Sequence, residues 1–147
     1  MRLVVQRVRR GRVSVGGRPL ADIGPGFVIL VGVGHGDGRS QADWLAEKCA
    51  GLRVFEDAQG KMNLALTEVN GEALVVSQFT LYADTGKGRR PSFIDAAPPE
   101  QAAPLVEAFA EGLRRRGVRV QSGAFGEHML VEIENDGPVT ILLERET

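Results

Sequence analysis

Two stretches of this 147-residue chain gather the groups that could do chemistry. Ser77-Gln78-Phe79-Thr80-Leu81-Tyr82-Ala83-Asp84 follows the apolar run Ala73-Leu74-Val75-Val76 and collects hydroxyl, amide and aromatic groups at a strand end. Period-two alternation predicts Val76, Gln78 and Thr80 on one face and Ser77, Phe79 and Leu81 on the other. Taken alone this is ordinary β-sheet chemistry, with Thr80 a strand former. Asn135-Asp136-Gly137-Pro138-Val139-Thr140 lies between two apolar runs, Met129 to Ile133 and Ile141 to Leu143. An X-Pro bond reaches cis at low cost, and a Gly before it has no Cβ to clash with the ring. Gly137-Pro138 can therefore hold a tight conformation that presents bare carbonyl oxygens. Alone, it reads as a turn joining two strands.

Other catalytic apparatus is sparse. Of two histidines, His35 sits in a glycine-rich loop and His128 follows Gly126-Glu127; neither has metal-ligand spacing to Cys49 or to the other, and both read as surface or capping residues. There is no Gly-x-Ser-x-Gly elbow and no His-Glu-x-x-His run. A Ser-His-Asp triad built from distant residues stays open, but it would need one of those histidines. Gly32-Val33-Gly34-His35-Gly36-Asp37-Gly38 lacks the lysine and hydroxyl of a P-loop and the spacing of a dinucleotide fingerprint, so a flexible surface connection is expected.

The elements that must position these groups follow from periodicity. Residues 2 to 9 and 12 to 15 read as a hairpin, Gly16-Gly17 as the next turn, and 19 to 23 and 27 to 33 as strands. Ser40, with Asp43 three residues on, resembles a capping box opening a helix that buries Leu45, Cys49 and Leu52 and ends near Gly51. A second helix follows Pro98-Pro99 with a stripe of Leu105, Val106, Phe109 and Leu113, Pro104 being tolerable only near its first turn. Strands are expected at 118–121, 129–134 and 139–144. These elements predict a single α+β domain over residues 1–147, its curled antiparallel or mixed sheets forming a partial barrel with two main helices on one flank.

Composition sets bounds. With 43% hydrophobic and 25% charged residues, the chain can bury a real core. Its net charge of −1 supplies no global field for nucleic acid, so an RNA ligand would need local groups. Lys87, Arg89 and Arg90 are the candidates; Arg114, Arg115 and Arg116, before Gly117, read instead as helix-terminal cations. A lone Cys49 precludes an intrachain disulfide and suits a reducing cytosol. The N-terminus enters a strand directly, with Arg7 on its polar face, and the longest apolar run, Phe27 to Val33, is too short to cross a bilayer. A soluble cytoplasmic protein without membrane association is expected.

Taken together, the motifs resemble those of the D-aminoacyl-tRNA deacylases of bacteria and eukaryotes. The resemblance covers the whole chain: Met1 to Val8, Arg53-Val54-Phe55-Glu56-Asp57, Lys61-Met62-Asn63-Leu64, the Ser77 to Asp84 motif, Lys87-Gly88-Arg89-Arg90-Pro91-Ser92-Phe93, Gly123-Ala124-Phe125-Gly126 and the Asn135 to Thr140 motif. It implies the same fold, a homodimer, no cofactor, no metal, and aminoacyl-tRNA as substrate. The continuous run Val139 to Leu143, readable as a strand buried on both faces, gives the dimer weak further support.

The resemblance further implies release of D-amino acids from tRNA, and of glycine mischarged on tRNA(Ala). In such a scheme the ester is already labile, the neighbouring ribose 2′-OH assists, and main-chain amides around Phe79 and Thr80 stabilise the oxyanion. Ser77 and Gln78 belong to the same catalytic segment; Thr80 as nucleophile is the competing assignment, although no base lies beside it in sequence. By the same resemblance Gly137-Pro138 is cis, reaches into the partner subunit's site, excludes L-substrates by steric overlap and captures the amino group through its carbonyls. Arg7 braces that loop. Phe125 and Met129 line the pocket for the terminal adenine, where Glu127 and His128 depart from the family pattern. Two alternatives stand beside this reading: a relative that removes L-alanine through a trans Gly-Pro pair, and a non-enzymatic RNA-binding module.

Overall fold

A computed structural model describes residues 1–146. Strand β1 (Arg2–Val15) is unbroken over 14 residues, so the expected hairpin within it does not form. It changes partner instead of turning. From Arg2 to Val8 it pairs antiparallel with β3 (Gly26–Gly32), and from Gly11 to Val15 with β2 (Arg18–Ile23), across the expected Gly16-Gly17 turn. The chain passes between the two partners at Gly11, where an added Cβ would lie 2.5 Å from Val28 Cγ2.

Strand β6 (Glu72–Ser77) runs parallel to β3, and β7 (Arg119–Ser122) parallel to β6. The sheet then curls until β7 meets β2. There the Gln121 carboxamide copies a ladder pair: its Oε1 accepts from the Asp22 N–H at 3.0 Å and its Nε2 donates to the Asp22 carbonyl at 2.8 Å. A small hairpin, β4 (Phe55–Glu56) with β5 (Met62–Leu64), stands apart.

Strand β8 (Leu130–Glu144) covers the other edge of β1 from Ser14 to Arg2, where two separate strands were expected. Its ladder pairs Val8 with Asn135 and Gln6 with Thr140, leaving Asp136, Gly137, Pro138 and Val139 opposite Arg7 alone. The Gly-Pro motif is therefore an excursion from the middle of one strand rather than a turn between two. Its outer face is open: Leu142 is 75% and Leu130 64% exposed, against the expectation of burial on both sides of the 139–143 run.

Alternation distributes the apolar side chains between two cores, which accounts for the continuous hydrophobic run of β3. Leu3, Val5, Phe27, Ile29, Val31, Ala73 and Val75 face the helices α1 (Arg39–Gly51) and α2 (Pro99–Arg115). Val8, Val13, Val28, Leu74 and Val76 fill the curl of the sheet. Arg7 shares the helix-side face with Leu3 and Val5 and is buried, not on a solvated polar face.

Helix α1 starts two residues earlier than a Ser40 cap would place it. Gly38 is the N-cap, and Gln41 rather than Asp43 reaches back to it, its Oε1 accepting from the Gly38 N–H at 2.8 Å. From the third helical position the longer amide reaches back to the orphan N–H of the N-cap. Pro104 lies in the second turn of α2, and only the exposed Glu100 carbonyl loses its partner. Arg116 donates to the Gly112 carbonyl at 2.9 Å, as a C-terminal cation should, whereas Arg114 pairs with Glu107 and Glu111. The helices meet at Gly112, where a Cβ would lie 2.6 Å from the Ala46 Cβ.

Two outcomes follow from this packing. Gly112→Ala should destabilise the fold by about 1–3 kcal/mol through overpacking, despite alanine's roughly 1 kcal/mol better helix propensity. Adding Ala46→Gly should recover part of that loss in urea unfolding; strictly additive effects would place the clash elsewhere. Complete burial pushes the Cys49 thiol up from 9.0 to about 12. Below pH 9 both folded and unfolded states keep the proton. Above it the unfolded chain releases the proton first, so stability should fall by about 1.4 kcal/mol per pH unit until the folded value is reached. The stability gap between wild type and Cys49→Ala should shrink at that rate between pH 9 and 11, and a constant gap would refute the assignment.

Candidate active site

Strand β6 leaves its ladder close to the end of β3, the last pair being Val31 with Ser77. The Gln78 N–H still donates to the Val31 carbonyl at 2.7 Å, but β3 stops at Gly32 and offers Phe79 no ladder. Phe79–Tyr82 therefore forms a 3-10 turn, and the expected strand alternation through Thr80 and Leu81 does not hold. The turn folds back over Gly32, whose missing Cβ leaves room: one there would meet Leu81 Cβ at 2.9 Å.

Several groups hold this turn from behind. Arg2 Nη1 donates to the Leu81 carbonyl at 3.0 Å, and the guanidinium lies 4.3 Å from the Tyr82 ring centroid. The Tyr82 hydroxyl donates to Asp37 Oδ2 at 3.4 Å; burial first, and the Asp37 charge second, push its pKa up and keep it a donor. Asp37 also receives the Met1 ammonium at 2.7 Å and the Gly34 N–H at 2.7 Å. The glycine-rich loop is thus tied down rather than loose, with Gly34 against the Tyr82 ring.

In front of the turn opens a cavity of about 550 Å³. Ser77, Gln78 and Phe79 form one side, Phe125 and Met129 another, and Phe93 completes the mouth. The Phe79 and Phe93 rings meet edge to face, with centroids 5.1 Å apart and planes at 75°. Gly123 gives way to Met129, since a Cβ there would lie 2.7 Å from the sulfur. Glu127 and His128, the two departures from the family pattern, also border the cavity.

The polar groups here are mostly main chain. As the first residues of a 3-10 turn, Phe79 and Thr80 have N–H groups without an acceptor among the described residues. Gln78 Nε2 donates to Thr80 Oγ1, and no imidazole or carboxylate of the described residues bonds that hydroxyl. Cys49, buried and protonated, is elsewhere. The geometry offers the Phe79 amide beside an apolar slot, the Thr80 amide next along the turn, and, among the described residues, no activated nucleophile.

Ser77, Gln78, Phe79, Phe125 and Met129 come together around the cavity, whereas Thr80, the next residue of the turn, is not among the residues that line it. Arg7, Gly137 and Pro138 do not line this cavity. Arg7, only 7% exposed, spends its guanidinium on main chain: Nε donates to the Asp136 carbonyl at 2.9 Å and Nη1 to Val54 at 2.7 Å. Asn135 cinches the loop, its Oδ1 accepting from the Val139 N–H at 2.7 Å and its Nδ2 donating to Thr140 Oγ1 at 3.0 Å. The Gly137–Pro138 bond is cis, and both residues are exposed. Sequence reasoning missed Phe93 as a cavity wall and Asn135 as the loop's tie; an Asn just before a Gly-Pro pair was the available signal.

Comparison with known proteins agrees with these motifs. The family described as D-Tyr-tRNA(Tyr) deacylase matches residues 4–144. A D-aminoacyl-tRNA deacylase of Thermomicrobium roseum is 60% identical over 98% of this chain and 94% of its own length, and one of Heliobacterium modesticaldum 59% identical over 98% and 96%. Among solved structures, the c-Myc DNA unwinding element binding protein superposes with a TM-score of 0.92 at 42% identity, covering all of both chains. A probable eukaryotic D-amino acid tRNA deacylase shares the fold, with a TM-score of 0.82 at 19% identity over 97% of each. With a family match running almost end to end and relatives this similar over their full length, the chain belongs to the D-Tyr-tRNA(Tyr) deacylase family.

Proposed function

We propose that this chain is an ester hydrolase that releases D-amino acids from the 3′-terminal adenosine of tRNA in the cytoplasm. The observation that carries the reading is one cavity in which Phe79, the first residue of a turn whose leading N–H groups are unpaired, stands across from an apolar wall including Phe125 and Met129. Relatives named D-aminoacyl-tRNA deacylase, 60% identical, support the same substrate class.

The adenine ring packs on Phe125 and Met129, where aromatic and sulfur contacts suit a purine face. This sets the aminoacyl carbonyl beside the 3-10 turn. Water attacks the carbonyl carbon, and the two N–H groups hold the oxyanion. The neighbouring 2′-OH relays the water's proton to the departing 3′ oxygen as the C–O bond breaks, giving free amino acid and tRNA. Thr80 supplies its amide rather than its hydroxyl, which Gln78 already engages.

Chiral selection comes from Gly137 and Pro138 of a second copy of the chain. In one chain the loop stands away from the cavity, exposed and stiffened by Arg7 and Asn135, as a probe for another molecule would be. The open outer face of β8, with Leu130 and Leu142 exposed, offers an interface for the homodimer. A backbone wall excludes L side chains by overlap, which discriminates more strongly than the 1–3 kcal/mol or so of a shaped apolar pocket. Its carbonyls take the substrate ammonium. Glycine, without a side chain, passes, so glycyl-tRNA(Ala) is also a substrate.

Single-turnover deacylation of D-, L- and glycyl-tRNA tests this. D and glycyl substrates should be cleaved and L spared; Thr80→Ala should stay within about tenfold of wild type, and a 2′-deoxy terminal adenosine should lose roughly 10²-fold or more, the range of positioned proton transfer. Loss of all activity in Thr80→Ala would restore the hydroxyl as nucleophile. At Gly137, φ is +141° and a Cβ would lie 2.7 Å from Val139 Cγ2 and 3.2 Å from Arg7 Nη2. Gly137→Ala should displace the wall and admit L-aminoacyl-tRNA. Leu142→Arg should convert the dimer to a monomer in sedimentation and abolish chiral discrimination; a monomeric wild type with full selectivity would defeat the two-copy site.

A further inference from the structure

A chain of net charge −1 can hold a polyanion only where cations are free of internal partners. Most of its 18 lysines and arginines are engaged. Some pair with carboxylates, as Arg10 does with Asp22 and Arg115 with Asp43. Others donate to main-chain carbonyls, as Arg53 and Arg119 do, and Lys48 and Arg145 lie over the Trp44 ring. Among the described residues, Arg18, Lys61, Lys87, Arg89 and Arg90 have no such partner.

Three of these five fall in one exposed loop. Asp84 and Ser92 exchange both main-chain hydrogen bonds at 2.8 Å, closing a loop from Thr85 to Pro91 in which every residue is exposed. Gly88, at φ +67°, shapes its tip. One end leaves the 3-10 turn of Phe79–Tyr82, and the other leads to Phe93, whose ring meets Phe79 at the mouth of the cavity. The free cations are rooted where a bound nucleoside would pass into the protein.

We infer that Lys87, Arg89 and Arg90 form a phosphate clamp for the single-stranded 3′ end of an RNA, gripping the phosphates just before the nucleoside in the cavity. The clamp rests on the deacylase reading for its ligand. Arginine forks match phosphate oxygens in pairs, and lysine adds a mobile point charge. Exposed aromatic rings beside cations form the platform that single strands use. Attachment by a few phosphates at one mouth also explains how a near-neutral chain holds RNA without a basic face.

The test is the salt dependence of binding to deacylated tRNA by Lys87→Ala/Arg89→Ala/Arg90→Ala, with Arg18→Ala/Lys61→Ala as control. Each lost contact to a single strand should lower the log–log slope by about 0.7, so the triple variant should lose roughly 2 units. Between 50 and 200 mM salt, wild type should then lose about 15-fold more affinity than the variant. The control should keep the wild-type slope. Hydrolysis of 3′-aminoacyl-adenosine, which has no phosphate, should be unaffected by the triple substitution while kcat/KM on aminoacyl-tRNA falls. An unchanged slope, an equal change in the control, or an equal loss on aminoacyl-adenosine would overturn the clamp. If wild type cleaves neither substrate yet the slope falls as expected, the deacylase reading fails and the clamp stands.

Discussion

Strand β1 has to serve two cores at once, and the rest of the molecule is arranged around that requirement. Its first half lays Leu3 and Val5 against the helices, its second half sends Val13 into the curl of the sheet, and β8 covers its far edge throughout. A slip of one residue would exchange the two faces, moving Leu3, Val5 and Arg7 together. Register is therefore fixed by both cores jointly. Because register is fixed, Arg7 must face the excursion at Asp136 to Val139, and its guanidinium must find carbonyls there. A buried cation without such partners would be costly, so the loop and the arginine stabilise one another.

The same logic of exhausted pairing creates the amide donors. The last pair of the β3–β6 ladder is Val31 with Ser77, and beyond the Gln78 N–H, which still reaches the Val31 carbonyl, the strand pairing stops. The chain tightens into a 3-10 turn whose leading N–H groups are unpaired among the described residues and whose first residue, Phe79, lines the cavity, while Arg2, Tyr82 and Asp37 hold the turn. Preorganised donors of this kind need no reorientation as charge develops, which is how main chain can replace an acid–base pair when the ester is already reactive.

Some of this was legible in the sequence. Helices came from their apolar stripes, since Leu45, Cys49, Phe109 and Leu113 recur at three- and four-residue spacing and are buried as expected. Of the two motifs, the Ser77 to Asp84 stretch supplies Ser77, Gln78 and Phe79 to the cavity, whereas Gly137 and Pro138 do not line it. The 3-10 turn was not legible, because Phe79, Thr80 and Tyr82 are all good strand residues, and the strand ends where tertiary pairing stops rather than at a local breaker. Arg7 was misplaced for a related reason: a charged residue on a strand ordinarily marks the solvated face, and its partners at Asp136 and Val54 lie far away in sequence. Likewise Ser40 and Asp43 fit a capping pattern, yet Gln41 beat them by reach.

Charge distribution constrains how the enzyme meets its substrate. With most guanidinium groups neutralised by carboxylates or spent on carbonyls, the surface exerts little long-range pull, and screening at physiological salt weakens it further. Association then depends on short-range capture of the RNA terminus, where cations, aromatic edges and the cavity mouth coincide. On the proposed clamp, such a surface would engage the end of a tRNA rather than its body. For a reaction whose substrate is distinguished only by the hand of one carbon at that terminus, contacts elsewhere would add affinity shared by D- and L-charged tRNA alike, and so nothing to discrimination.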